Sequence, residues 1–371
     1  MKKTVLTISL VVLSVLLSSW GSKGHKKISQ NFATSLPAEM SFLNPTWTLF
    51  VANHASDADS RKTQDPNESP RHYIDIDNYP EFILNGKISQ EYDTVVAHHG
   101  AGFVIDQGTL PWATVTAFDS LTRCFMRGDW NRSAYFAADL GHYVGDGHMP
   151  LHITKNYNGQ LSGQLEIHSR YESTMISKYE AQLVYTADAA HYIPDVKGYV
   201  FDYLYFDYKY VDSVLLADTY ATTLSGSVGS TAYYQALWAK TGNFTIMLMK
   251  NASTSLGDLI YTAWVKAGSP RMYPNAIDES GNSGHTPFLK AYPNPVSETL
   301  CFTVKVTDSR IPVVLKIYDS RGNMMEEIVN QLMTDGSHTI TCNVNAYPSG
   351  IYYCKMTSGK VSSTQQVVVL H

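Results

Sequence analysis

Along residues 20–270 apolar side chains recur mostly at three- and four-residue intervals, the period of helices that bury one face. The clearest predicted helix begins near Asp129, a residue suited to cap it. It carries Tyr135, Ala138, His142 and Val144 to Asp146 and stops or kinks at Pro150. A second helix is expected from about 165 to 183, and a third from Thr245 through Leu248, Leu256, Leu259 and Ile260 to Trp264. Loops rich in Asp, Asn, Pro and Gly, such as 63–70 and 156–160, separate them. At 278–285 the chain turns polar and glycine-bearing, and beyond it the period becomes that of strands. Runs at 300–304, 313–318, 338–340, 350–353 and 366–370 read as short strands, divided by turn groups at 319–323 and 347–350. The pattern predicts a multidomain chain: a mostly α-helical domain over 20–276, a linker over 277–290, and a small all-β sandwich over 291–371.

The N-terminus has a different character. Met1-Lys2-Lys3 precedes an apolar run over 4–17 that closes on Ser18-Ser19, the layout of a secretory signal peptide spanning 1–19. The run is short for a stable membrane span, and no later apolar stretch is long enough for one. The expected product is secreted or held at the cell surface, and a cut after Ser19 leaves Trp20 as its first residue.

Composition narrows the field only a little. The 371 residues are 44% apolar with a formal net charge of -5, which argues against a basic nucleic-acid coat. A nuclease is not excluded, because bound metal cations reverse the potential inside a site. The cysteines, Cys124, Cys301, Cys342 and Cys354, lack C-x-x-C spacing, so a thiolate zinc site is not expected. Cys124 lies in an apolar helical stretch and is expected as a buried thiol, while the other three allow one bridge in an oxidising compartment.

The chemistry lies in histidines and carboxylates. His142 and Asp146 are four residues apart, as are His168 and Glu172, so on a helix each pair stands on one face, with His152 between the two pairs in sequence. Imidazole with carboxylate is a donor set that suits zinc. A single such pair is more often an ordinary surface pair, but three further motifs lie upstream: Trp20 to His25, Asp57-Ala58-Asp59, and Arg71-His72-Tyr73-Ile74-Asp75. His148 falls inside the main motif but off the ligand positions, and a hydrogen-bonded role is expected for it.

In the order and spacing of these five motifs the chain from Trp20 to about Gly268 resembles the superfamily of bacterial zinc-dependent phospholipases C and fungal single-strand-specific zinc nucleases. The resemblance implies a helical domain with three zinc ions. Asp59, His72 and His142 would hold one, with Asp146 bridging to a second; His152, His168 and Glu172 would hold another. The remaining ion would take His25, Asp146 and the amino nitrogen and carbonyl oxygen of Trp20, donors that exist together only after the signal peptide has gone. Water activated between the Asp146-bridged ions would attack a phosphodiester, and Asp59, or an outer carboxylate such as Asp57, would orient it.

On substrate the resemblance divides. Glu172 and the compact loop 153–166 match the phospholipase side, whereas Tyr73 and Asp75 match positions that help hold a base in the nucleases. A phosphodiesterase of the phospholipase C type is the expected enzyme, with a single-strand-specific nuclease as the alternative. A third reading is a non-catalytic surface protein whose zinc only stabilises the fold. The C-terminal segment, through Tyr292-Pro293-Asn294-Pro295-Val296, Ile317-Tyr318-Asp319 with Gly322, and Tyr347-Pro348-Ser349-Gly350-Ile351-Tyr352, resembles the sorting domains of the type IX secretion pathway. That resemblance implies the type IX machinery as a partner, beside a phospholipid or nucleic-acid substrate.

Overall fold

The computed structural model describes residues 20–271, 288–306, 309–319, 322–359 and 361–371. The expected signal peptide and most of the expected linker lie outside the described residues. The chain divides into two compact units, one helical and one β.

The helical unit is built around Trp130–Gly147, which becomes buried on every side toward its C-terminal end. From Leu140 to Thr154 every residue is buried. A helix sunk this deeply is held mainly by the apolar packing of Leu140, Val144, Met149 and Leu151, all under 1% exposed. It also takes His142 and Asp146 out of water, and buried polar groups require partners. The expected start at Asp129 and stop before Pro150 agree with these bounds.

Two other expected helices differ in detail. The expected 165–183 helix is interrupted: Ile167–Ser169 is α-helical, Arg170–Met175 forms a π-helical turn, Ile176–Tyr179 returns to α, and Glu180–Gln182 tightens to 3-10. The expected 245–264 helix is the second half of Thr231–Lys266, a 36-residue helix. The Ser230 hydroxyl accepts from the Tyr233 N–H and caps its start, a bond of the kind that contributes about 1 kcal/mol. Among the described residues no helix is long and apolar enough to cross a membrane.

Among the described residues the β unit has seven strands: β1 (Phe288–Tyr292), β2 (Thr299–Val306), β3 (Val313–Asp319), β4 (Met324–Gln331), β5 (Gly336–Asn343), β6 (Gly350–Ser358) and β7 (Val361–Val369). They form a three-stranded sheet ordered β1-β2-β5 and a four-stranded sheet ordered β4-β3-β6-β7, antiparallel throughout. Alternate residues of both sheets, among them Leu300, Phe302, Val304, Leu315, Ile317, Cys354 and Met356, make one core. The period-two runs forecast five of these strands. They missed β1, and they missed β4, an edge strand with no fully buried side chain. Cys301, Cys342 and Cys354 are free thiols here, and Cys124 is buried as expected.

A buried histidine and carboxylate centre

One turn of the buried helix separates His142 from Asp146, and both side chains enter the same interior space. The first helix, Gly21–Asn31, crosses close by and delivers His25. Gly145 permits that approach: a Cβ there would stand 2.8 Å from His25 Nδ1. The short helix Asp57–Arg61 brings Asp59, and the 3-10 turn Ser69–His72 brings His72. Asp146 Oδ2 lies 3.0 Å from His72 Nδ1 and 3.4 Å from His142 Nε2, and Oδ1 lies 3.4 Å from His25 Nε2. Asp59 Oδ1 stands 3.5 Å from His142 Nε2, 3.6 Å from His72 Nδ1 and 2.7 Å from Lys62 Nζ.

A second cluster adjoins the first. His168 Nε2 is 3.1 Å from Glu172 Oε1, and His152 Nε2 is 3.4 Å from Glu172 Oε2. His168 and Glu172 keep their one-turn spacing although the π turn begins between them. Arg170, on the same turn, donates to Tyr233 Oη at 2.9 Å and to Asp218 Oδ1 at 2.9 Å, which ties the segment to the helices Val211–Ser225 and Thr231–Lys266.

Among the described residues, three sets of donor atoms lie close enough to share an ion: His25, Asp59 and His142; His72, His142 and Asp146; His152, His168 and Glu172. All but half-buried Asp59 are fully buried. The third set is the one expected from sequence. The other five residues form one continuous pool, so His142 belongs to two sets and His25 is placed with Asp59 as well as near Asp146. Trp20 is fully buried beside the second cluster. Its backbone N–H donates to Glu172 Oε2 at 3.0 Å, and its carbonyl oxygen accepts from Gly24 N–H at 3.1 Å.

The hydrogen bonds around the imidazoles decide which nitrogens face inward. A carbonyl oxygen can only accept, so His142 Nδ1–H donates to Ala55 O (2.7 Å), His152 Nδ1–H to His72 O (2.5 Å) and His168 Nδ1–H to Tyr157 O (3.1 Å). Each bond leaves Nε2 with its lone pair toward the carboxylates, the arrangement that orients a histidine for a metal. His72 is reversed: Nε2 meets Glu68 Oε1 at 3.3 Å, and Nδ1 faces the pool. His72 Nδ1 and His142 Nε2 then approach to 2.9 Å. Two lone pairs at that distance repel unless a proton or a metal cation lies between them. The donor set therefore fits a divalent cation that accepts nitrogen and oxygen together.

With no cation considered, opposite charges offset burial within the centre. Burial would raise the Asp146 carboxyl, but the imidazoles of His142 and His152 hold it well below the usual range. Burial works downward on His142, and Asp146 with Asp59 outweighs it, pushing the imidazole up to about 9. His25 is lowered by burial and by His142. Burial would raise Asp59 and Glu172; His142 with Lys62 brings the first down, and His168 with His152 the second.

The centre borders a cleft of about 510 Å³ lined by Lys62, His72, Tyr73, Asp75, Tyr157 and His168, among others. Tyr73 and Asp75, singled out from sequence, thus share a wall with the histidines. Burial and the adjacent Asp77 push Asp75 up to about 7. Asp57 is not part of the centre and pairs with His54 Nδ1 at 2.7 Å. His148 hydrogen-bonds Ser255 Oγ at 3.1 Å and lies 2.5 Å from Asp207 Oδ2. Glu68, Lys62 and Gly145 were not anticipated; the only sequence signal for Glu68 is its place four residues before His72.

Comparison with known proteins adds two findings. Residues 290–370 match the family described as "Secretion system C-terminal sorting domain", in agreement with the resemblance of that segment. A solved structure of Clostridium perfringens alpha-toxin from avian strain SWCP is similar over 96% of this chain and 98% of that one, at 10% identity and a TM-score of 0.44. A likeness that slight carries no chemistry across. No curated protein matches the chain by sequence.

Proposed function

We propose that the helical unit is a zinc-dependent phosphodiesterase of the phospholipase C type, exported and delivered by the type IX secretion machinery through residues 291–371. The carrying observation is the fully buried Asp146 carboxylate with ring nitrogens of three histidines within 3.4 Å. A second donor set adjoins it, and the cleft runs alongside. In this reading Asp59, His72 and His142 hold one ion, and His152, His168 and Glu172 another. Asp146 would be shared between the first and a third ion, for which His25 and Trp20 would supply the other donors. That third ion needs the free amino group of a chain starting at Trp20, because a peptide nitrogen is planar and a poor ligand. Bound zinc lowers the pKa of water to about 7 and draws charge from phosphate oxygens.

The chain's own residues do the rest. Backbone carbonyls at Ala55, His72 and Tyr157 hold three imidazoles in one tautomer. Asp146 and Asp59 stay ionised and orient the attacking water. Tyr73 and Asp75 line the cleft beside His72 and would meet the group attached to phosphorus. That pair also favours a second reading: an aromatic ring beside a carboxyl suits a nucleic-acid base, as in a single-strand-specific nuclease.

The test is purified protein beginning at Trp20, assayed side by side on phosphatidylcholine, single-stranded DNA and RNA, with and without chelator. Chelator-sensitive hydrolysis of phosphatidylcholine is expected. Cleavage of DNA or RNA alone favours the nuclease. No turnover on any of them leaves a protein that zinc merely stabilises.

A further inference from the structure

We infer that Glu68 is a positioning residue that selects which nitrogen His72 presents to the metal centre, an inference that rests on the metal-centre reading above. Four of the five imidazoles of the centre are fixed in two ways. His142, His152 and His168 each donate Nδ1–H to a backbone carbonyl, which no side-chain replacement removes. His72, by contrast, meets the Glu68 side chain in its Nε2 direction. Glu68 Oε1 lies 3.3 Å from His72 Nε2, and this carboxylate is 1% exposed. An ionised carboxylate only accepts, so the proton sits on Nε2 and Nδ1 turns toward Asp146, 3.0 Å away. Were the tautomer exchanged, Nδ1 would carry the proton and point it into the space a cation needs.

Glu68 is itself held firmly. Tyr143 donates its hydroxyl to Oε1 at 2.6 Å, and Arg71 Nη1 donates to Oε2 at 3.1 Å. Arg61 approaches both oxygens at 3.4 Å and is anchored on its other side by Asp139 at 2.9 Å. Two guanidiniums allow this carboxylate to remain ionised although it is buried. The His72 carbonyl also accepts from His152, a backbone contact that a change at Glu68 leaves in place. A carboxylate behind a histidine ligand also raises that ligand's basicity, and removing such partners typically costs 10–100-fold in metal affinity.

The experiment uses zinc-loaded protein beginning at Trp20, with Glu68→Gln and Glu68→Met. Affinities are measured by competition with a chromogenic chelator, and ring nitrogens are assigned by long-range proton–nitrogen NMR. In the wild type His72 should bind through Nδ1 with Nε2 protonated, and His142, His152 and His168 through Nε2. Glu68→Gln keeps an acceptor oxygen, so the same nitrogen should bind with one ion weakened about 10-fold; Glu68→Met should weaken it about 100-fold. The other ions should hold as before, which a general loss of structure would not produce. If Glu68→Met fails to fold, the glutamine variant decides alone. Unchanged affinities in every folded variant, or wild-type His72 bound through Nε2, would overturn the inference while leaving the metal centre in place. A wild type that takes up no zinc overturns both.

Discussion

Replacing Asp146 by asparagine keeps the shape of a side chain that is 0% exposed and removes its charge. The consequence can be worked from the geometry. Two unit charges about 4 Å apart interact by about 4 kcal/mol at an effective dielectric constant near 20. Two divalent ions at a bridged separation of about 3.5–4 Å repel roughly four times as strongly, so the anion between them is what lets them coexist. Losing a single unit-charge interaction of about 4 kcal/mol amounts to about 10³-fold, at 1.36 kcal/mol per decade. Asp146→Asn should therefore lose at least one ion on dialysis, and kcat/KM on a chromogenic phosphodiester should fall by about 10³-fold or more. Circular dichroism should show that the helices persist. Wild-type zinc content and turnover in a folded Asp146→Asn protein would refute the bridging role.

Three further expectations follow from other parts of the fold. A chain ending at Ala276 should fold and keep its zinc and activity, since every proposed ligand precedes that point; loss of zinc from a folded truncated protein would implicate the β unit. Arg170→Met removes one partner of the buried pair with Asp218 and should cost about 3–5 kcal/mol in urea unfolding, whereas a change within about 0.5 kcal/mol would show that the π turn is held by packing alone. The third concerns pH. Asp75 rises to about 7 in the fold through burial and Asp77, against about 3.9 unfolded, so its favourable contribution is complete below about pH 4 and disappears as pH rises through 7. In chelator-treated protein Asp75→Asn should melt with the wild type near pH 4 and above it beyond pH 7; a difference independent of pH contradicts the assignment.

Much of this was legible in the sequence because the decisive features are periodic. His142 with Asp146 and His168 with Glu172 keep helical spacing, and Pro150 marks the end of the helix that carries the first pair. The π turn at Arg170–Met175 was not legible, because apolar spacing over 165–183 reports a helix without reporting its hydrogen-bond register. Nor was β4, whose Met324, Met325, Glu326 and Glu327 are all exposed and so show no alternation. Glu68 escaped notice because a glutamate in a polar loop looks solvated until the fold packs Tyr143, Arg61 and Arg71 around it. Gly145 matters only because another helix approaches it, which no local pattern contains.

At the heart of the proposed function is a three-ion metal centre formed by the buried histidines and carboxylates. Its most direct test is elemental analysis of purified protein beginning at Trp20 after zinc loading and dialysis. About three zinc ions per chain are expected, released together with activity by chelator and restored by added zinc. One ion or none, in protein shown to be folded, would contradict it.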